Sequence, residues 1–362
     1  MRLKQEMALL IALVVAIAAY LGEHDLLAAG RTVTLLAAGG LIAAIVWVST
    51  RVAHHAEILA AKVGDPYGTM ILTLSAVLVE VIILAIMMQG ETSPTLVRDT
   101  IYAAVMIDIN GIIGLAALLG GIRHGEQPYN DDSGKTYGVM ILTAMGISMV
   151  VPEFIPRESW QLYSAFTIGA MIALYALFLR MQVGTHSYFF SYAYPRAEKR
   201  DHAQPVSGEA DEAAGTSIAV ILVGVVIIGA LAEVMSTLLG EGLEGTGAPP
   251  ALMAVVVATI SAAPEILTAL RAALANRMQS TINIAMGASL STVILTVPVM
   301  ETIALYTGQP FVMAMSPVQT VMVAITLIVA AINLNDGETN AIEGMTHFIL
   351  FATFVMLTLL GL

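Results

Sequence analysis

Long apolar runs, broken by short clusters of glycine, proline and charged residues, mark eleven candidate membrane-spanning helices, at roughly 7–22, 32–61, 68–89, 98–121, 136–155, 160–183, 216–239, 249–275, 279–304, 312–334 and 341–361. A spanning helix takes roughly 20 apolar residues, and each run is near that length or beyond it. The breaks carry turn chemistry: Gly64-Asp65-Pro66, Gly90-Glu91-Thr92-Ser93-Pro94, Gly125 to Gly134, Pro156, Gly245 to Pro250, Gly308-Gln309-Pro310 and Asn335-Asp336-Gly337. Only one connection is long. Residues 184–215 form an acidic linker that sets Arg196, Lys199 and Arg200 against Glu198, Asp201, Glu209, Asp211 and Glu212, with His186 and His202 among them, and its second half, with little apolar content after Tyr194, reads as solvated.

Composition agrees with the pattern. Of 362 residues, 58% are apolar and 12% charged, and the mean hydropathy is +0.85; soluble domains run about 45–50% apolar and about 25% charged. The fold class this predicts is an all-α polytopic membrane protein. With no cysteine the chain has no disulfide, iron–sulfur cluster or thiolate metal site. A formal charge of −12 argues against nucleic acid as a partner, which leaves the lipid bilayer and small ions.

Charge also sets the expected orientation. With the N-terminus taken as cytoplasmic, one side collects 12 basic residues (Arg2, Lys4, Arg51, Lys62, Arg123, Lys135, Arg180, Arg196, Lys199, Arg200, Arg271 and Arg277) and the other 3 (Arg31, Arg98 and Arg157). The positive-inside rule then places the N-terminus and the linker in the cytoplasm and the C-terminus outside. Arg2 and Lys4 before a short apolar run also fit a secretory signal peptide; we take the segment as a retained helix.

Two stretches resemble each other. Pro66-Tyr67-Gly68-Thr69-Met70 leads to Glu80 and Pro250-Ala251-Leu252-Met253 leads to Glu265, with proline and glutamate 14 and 15 residues apart. Downstream, Arg98 to Met106 compares with the run around Thr281-Ile282-Asn283-Ile284-Ala285-Met286; aligned without a gap, Asp108 falls opposite Ser289 and Asn110 opposite Ser291. The copies lie five spans apart, so they cross the membrane in opposite senses. Inverted repeats mark secondary transporters, whose substrate site lies near the midplane where the copies meet.

Glu80 lies twelve residues into its span, close to mid-bilayer. An ionisable group there costs at least about 2.5 kcal/mol and usually marks an ion or proton pathway. Glu265 has Ser261 at i−4 and Thr268 at i+3 on its face, and Pro264 beside it frees the carbonyl of Ile260, with a kink expected there. Asp108 and Asn110 add oxygens in the neighbouring span, with Ser289 and Ser291 as their counterparts and Gly111 and Gly114 permitting close helix approach. Asn283 is open between the two roles. Glu153, Glu233 and Glu301 read as snorkelling or locally paired. No nucleophile and base pair is evident, so the chain is not expected to be an enzyme.

At the two glutamate segments the chain resembles the cation/Ca2+ exchanger superfamily, and within it the bacterial calcium/sodium:proton antiporters of the ChaA type. The resemblance rests on Gly64-Asp65-Pro66-Tyr67-Gly68-Thr69 leading to Val79-Glu80, on Arg98-Asp99-Thr100 to Asn110, and on Pro264-Glu265 through Arg271-Ala272-Ala273 and Asn276-Arg277-Met278-Gln279 to Pro298. It implies about eleven transmembrane helices: an N-terminal helix (1–31), a five-helix repeat (32–183), an acidic cytoplasmic linker (184–215) and an inverted five-helix repeat (216–362). It further implies that Glu80 and Glu265 bind cation and protons. Ala263 and Pro264 stand where many relatives have Gly-Asn, which removes a side-chain ligand.

Together these readings predict a secondary transporter of a bacterial inner membrane that exports Ca2+ in exchange for H+. Glu80 and Glu265 would bind either one divalent cation or protons, with Asp108, Asn110, Ser289 or Ser291 completing the six to eight oxygens that Ca2+ takes. Without a cation, burial and like charge favour protonated carboxyls. No cofactor is expected beyond the transported ions. Na+ or K+ exchange at the same carboxylates and a passive cation channel stay open as alternatives, and no assembly signal stands out.

Overall fold

The computed structural model describes residues 7–63, 67–88, 93–184, 187–191, 214–309 and 311–362. The turns at Gly64-Asp65-Pro66 and Gly90-Glu91-Thr92, Pro310, the basic residues Arg2 and Lys4, and the linker charges from Arg196 to Glu212 with His186 and His202 lie outside these residues. The described chain is helical throughout apart from one two-residue strand pair. Its helices are α1 (Met7–Ala28), α2 (Arg31–Val63), α3 (Tyr67–Met87), α4 (Leu96–Val105), α5 (Gly114–His124), α6 (Asp131–Met145), α7 (Trp160–Val183), α8 (Ala214–Leu243), α9 (Ala251–Leu274), α10 (Met278–Ser291), α11 (Val297–Thr307), α12 (Pro317–Asn333) and α13 (Ala341–Leu359). Among the described residues nine helices are long and apolar enough to cross a membrane, and Leu74–Met87 and Pro317–Asn333 are shorter apolar helices. Each of the eleven runs expected from hydropathy coincides with one of these nine helices or two shorter ones. Ends differ by a few residues, most at α1, which continues through Glu23, His24 and Asp25 to Ala28.

Three spans contain wide π-helical turns that hydropathy does not register: Met106–Ile113 joins α4 to α5, Gly146–Val150 continues α6, and Thr292–Thr296 joins α10 to α11. Pro298, which has no N–H to give the carbonyl of Ile294, follows the third. Such turns release backbone carbonyls. At the second, Tyr163 Oη donates to the carbonyl of Ile147 at 2.7 Å.

The chain divides into two compact units, and one of the three crossings from one to the other falls between Pro264 and Glu265, inside α9. The first holds α1, α2, α3, α8 and the start of α9. Here α2 lies along α8 and both α1 and α3 pack on the pair. Gly224, Gly229 and Gly242 of α8 let Val52, Ile86 and Leu35 approach to where a Cβ would stand, at 2.6, 3.0 and 2.6 Å. Contacts at the two ends fix the direction: Arg31 Nη2, at the start of α2, donates to the carbonyl of Glu244, just beyond α8, at 2.8 Å, and His55, near the end of α2, meets Ser217, near the start of α8, at 3.3 Å. The two helices are antiparallel.

The second unit holds α4 to α7, the end of α9 and α10 to α13. Its centre is the Met106–Ile113 segment, almost wholly buried, with α10 on one side and α12 and α13 on another. Beyond α5, Gln127 Nε2 donates to the carbonyl of Ala273 at 2.9 Å and to Asn276 Oδ1 at 3.0 Å, just before α10. At the opposite end Arg98 of α4 reaches the carbonyl of Ala314, and Val312 N donates to the carbonyl of Pro94. The helix through α4 and α5 thus runs antiparallel to the one through α10 and α11. Two pairs of repeat counterparts, α2 with α8 and α4–α5 with α10–α11, each run in opposite senses, as inverted topology requires. A short antiparallel ladder pairs Gln127 with Thr339 and Pro128 with Glu338.

Candidate cation-binding site

Glu80 sits thirteen residues beyond Tyr67 in α3, about 20 Å along the helix axis. It is 3% exposed, with Val79, Ile83 and Leu84 of the same helix buried around it. Glu265 is half-buried directly after Pro264. The helix continues without interruption across that proline. Ser261 turns its hydroxyl back on its own helix, donating to the carbonyls of Ala258 at 3.0 Å and Val257 at 3.3 Å, so its lone pairs face outward from those bonds.

In the second unit the structure joins two of the predicted residues. Ser289 Oγ donates to Asp108 Oδ2 at 3.1 Å, and both side chains are buried. These are the positions that the gapless alignment of the repeats sets opposite one another. Counterparts of an inverted pair meet only near the axis that relates them, so the contact places a polar centre there. Ser291 donates to the carbonyl of Gly287 at 2.7 Å, within its own helix.

Asn110 points elsewhere. It lies two positions from Asp108, about half a helical turn, and is fully buried against α12 and α13. Its Nδ2 donates to Thr326 Oγ1 at 2.7 Å, and its Oδ1 lies 3.0 Å from His347 Nδ1. Asp108 and Asn110 therefore serve opposite flanks of one segment. Asn283, left open above, donates to the carbonyl of Phe190 and accepts from Gln279, so it ties the start of the linker to α10. Glu153 and Glu233 are exposed. Glu301 is 2% exposed, so it does not snorkel, and Ser164 Oγ of α7 donates to its Oε1 at 3.5 Å.

Sequence reasoning missed His347 and Thr326. The signal was available for the histidine: an ionisable residue two turns into the last span, a kind of residue that is rarely idle in a membrane. Thr326 carried none, since threonine commonly satisfies itself on its own helix.

Comparison with known proteins places this geometry. The model of a sodium/calcium exchanger protein family matches residues 32–184 and 216–360. The chain is 32% identical to the sodium-potassium/proton antiporter ChaA of Escherichia coli (strain K12), over 90% of each chain. It is 24% identical to a Ca(2+)/H(+) antiporter of Aphanothece halophytica, over 73% of this chain and 74% of that one. The crystal structure of the Ca2+/H+ antiporter protein YfkE shares the fold with a TM-score of 0.73 at 16% identity, over 97% of this chain and 99% of that one. Antiparallel repeat counterparts, apolar helices long enough to cross a membrane and a matching family model in both halves lead to one conclusion: the chain is an integral membrane protein of the sodium/calcium exchanger family, within the cation/Ca2+ exchanger superfamily and of the ChaA type, and so a transporter and not an enzyme.

Proposed function

We propose that this protein is a cation/proton antiporter that moves Ca2+ out of a bacterial cytoplasm against inward H+, with Glu80 and Glu265 as the groups that bind cation and protons in turn. The observation that carries the reading is the burial of Glu80, 3% exposed, far inside an apolar helix. Burial at such depth costs a carboxylate its water, and a cation or a proton bound there offsets that loss. One site that accepts the two alternately is an exchanger. Each unit also carries hard oxygens of the kind Ca2+ prefers: the carbonyl of Ile260, left without the Pro264 donor, in the first, and Asp108 with Ser289 in the second. Relatives named for Ca2+/H+ and for sodium-potassium/proton antiport support the class of reaction. Within the second unit, Arg123, Lys135, Arg271 and Arg277 flank the end joined by Gln127 and Asn276, while Arg98 lies at the other. That asymmetry supports a cytoplasmic face for the former.

Mutual exclusion is testable without a membrane. Ca2+ added to the purified protein in weakly buffered detergent should displace protons, which a pH dye reads, and Glu80→Gln or Glu265→Gln should reduce the yield. Cation binding with no proton release would overturn the scheme. Equal release by Na+ and none by Ca2+ would keep the scheme and replace the substrate.

A further inference from the structure

The second unit buries an imidazole that the exchange scheme does not use. His347 of α13 is 1% exposed; its Nδ1 lies 3.0 Å from Asn110 Oδ1, and its Nε2 is buried without a hydrogen-bond partner among the described residues. It reaches this place because α13 presses on α5. A Cβ on Gly114 would lie 2.7 Å from the backbone nitrogen of Phe348, and one on Gly344 2.2 Å from that of Leu118.

The proton positions follow from the neighbours. Thr326 Oγ1 has Met106 sulfur at 3.6 Å as an acceptor for its own hydrogen, so it accepts from Asn110 Nδ2. That orients the amide with Oδ1 toward His347, and an amide oxygen only accepts. The imidazole hydrogen is therefore on Nδ1. The reverse arrangement would leave an Nε2–H donor buried with nothing to receive it, which is rarer in proteins than a bare acceptor lone pair.

From this network we propose that His347 is a positioning residue for exchange: with Thr326 it clamps Asn110, and through Asn110 it fixes the rotation of the Met106–Ile113 segment that aims Asp108 at Ser289. The inference rests on the reading of Asp108 as part of the exchange site. The Met106–Ile113 segment is a wide turn inside the continuous helix from α4 to α5, where side-chain contacts adjust the angular setting. Here the setting is held from outside, by Ser289 on one flank and by Thr326 and His347 on the other. Both clamping helices belong to the second repeat, and the clamped segment to the first. A neutral imidazole suits the task, since it donates one strong hydrogen bond without bringing charge into the bilayer.

Two measurements test the proposal. Protein labelled with 15N-histidine in lipid bilayers should give one neutral, Nδ1-protonated resonance that disappears in His347→Asn. An Nε2-protonated or doubly protonated His347 would overturn it. In proteoliposomes His347→Leu should raise the cation KM about tenfold, the effect of one buried hydrogen bond, and change the maximal rate by less than about twofold. His347→Asn, whose amide places a donor near the Nδ1 position, should restore KM and keep the wild-type pH profile. An unchanged KM in His347→Leu overturns the proposal. So does an equal defect in His347→Asn, the mark of a proton carrier. If His347→Leu does not fold, Thr326→Val removes the other clamp and should raise KM in the same direction; an unchanged KM there overturns the proposal. Wild-type protein inert to every cation would defeat the exchange reading instead, and the resonance would still decide the His347 contact.

Discussion

Gly344→Ala is the sharpest test of how the second unit is packed. A methyl group at this position would stand 2.2 Å from the backbone nitrogen of Leu118, 2.7 Å from the carbonyl carbon of Ala117 and 2.8 Å from the carbonyl oxygen of Gly114. All three are backbone atoms of α5, so no side chain can swing aside. Ordinary contact is about 3.5 Å or more, and the two helices must part by roughly 1 Å along that line. The seam contains Gly114 and Gly121 as well, so the separation propagates toward His347 and stretches its 3.0 Å bond to Asn110 beyond hydrogen-bond range. Overpacking costs about 1–3 kcal/mol and a lost buried hydrogen bond about 1 kcal/mol. The expected total is about 2–4 kcal/mol. Thermal unfolding in detergent should show a fall in Tm of roughly 5–10 °C. Gly138→Ala in α6 is the control, because nothing lies within 4 Å of its Cβ position, and it should be neutral or stabilising by up to about 1 kcal/mol. A Gly344→Ala protein that melts with the wild type, or a Gly138→Ala protein that melts as early, would refute the close-packed seam.

Three further outcomes follow from single contacts. Arg98→Ala strips Asp99 of its bonds to Nε and Nη2 at 2.8 and 2.7 Å and leaves that 7%-exposed carboxylate with Thr95 and Gln319; unfolding should show a loss of about 3 kcal/mol. Ser316→Ala dissolves the capping box with Gln319 at the start of α12 and should cost about 1 kcal/mol by the same measurement. Ser289→Ala deletes the donor to Asp108 and should raise the cation KM about tenfold in a flux assay; an unchanged KM would remove Asp108 from the site.

The architecture was legible because lipid imposes few solutions. Apolar length, breakers and the odd offset of five spans from the Glu80 copy to the Glu265 copy predict antiparallel counterparts, and α2 with α8 meets that expectation through Arg31–Glu244 and His55–Ser217. The alignment that sets Asp108 opposite Ser289 anticipates a contact that only a fold can make. The direction of Asn110 was not legible. Reading 108 and 110 as one polar pair ignores the half-turn between them and the wide π-helical turn they occupy, and nothing in an apolar run announces such a turn. Glu301, read as snorkelling or locally paired, has Ser164 beside it, because α7 packs on α11. His347 was visible as an ionisable residue inside the last span, yet its partner lies 237 positions away, beyond the reach of local pattern.

The most direct test of the account uses wild-type and Glu265→Gln protein in liposomes with a trapped pH dye. Ca2+, Na+ and K+ are added in turn to the outside. Entry of the cation against departing protons should make the lumen more alkaline with Ca2+, and the response should vanish in Glu265→Gln. A lumen pH that ignores all three cations, or a Ca2+ response that survives in Glu265→Gln, would contradict exchange at these carboxylates.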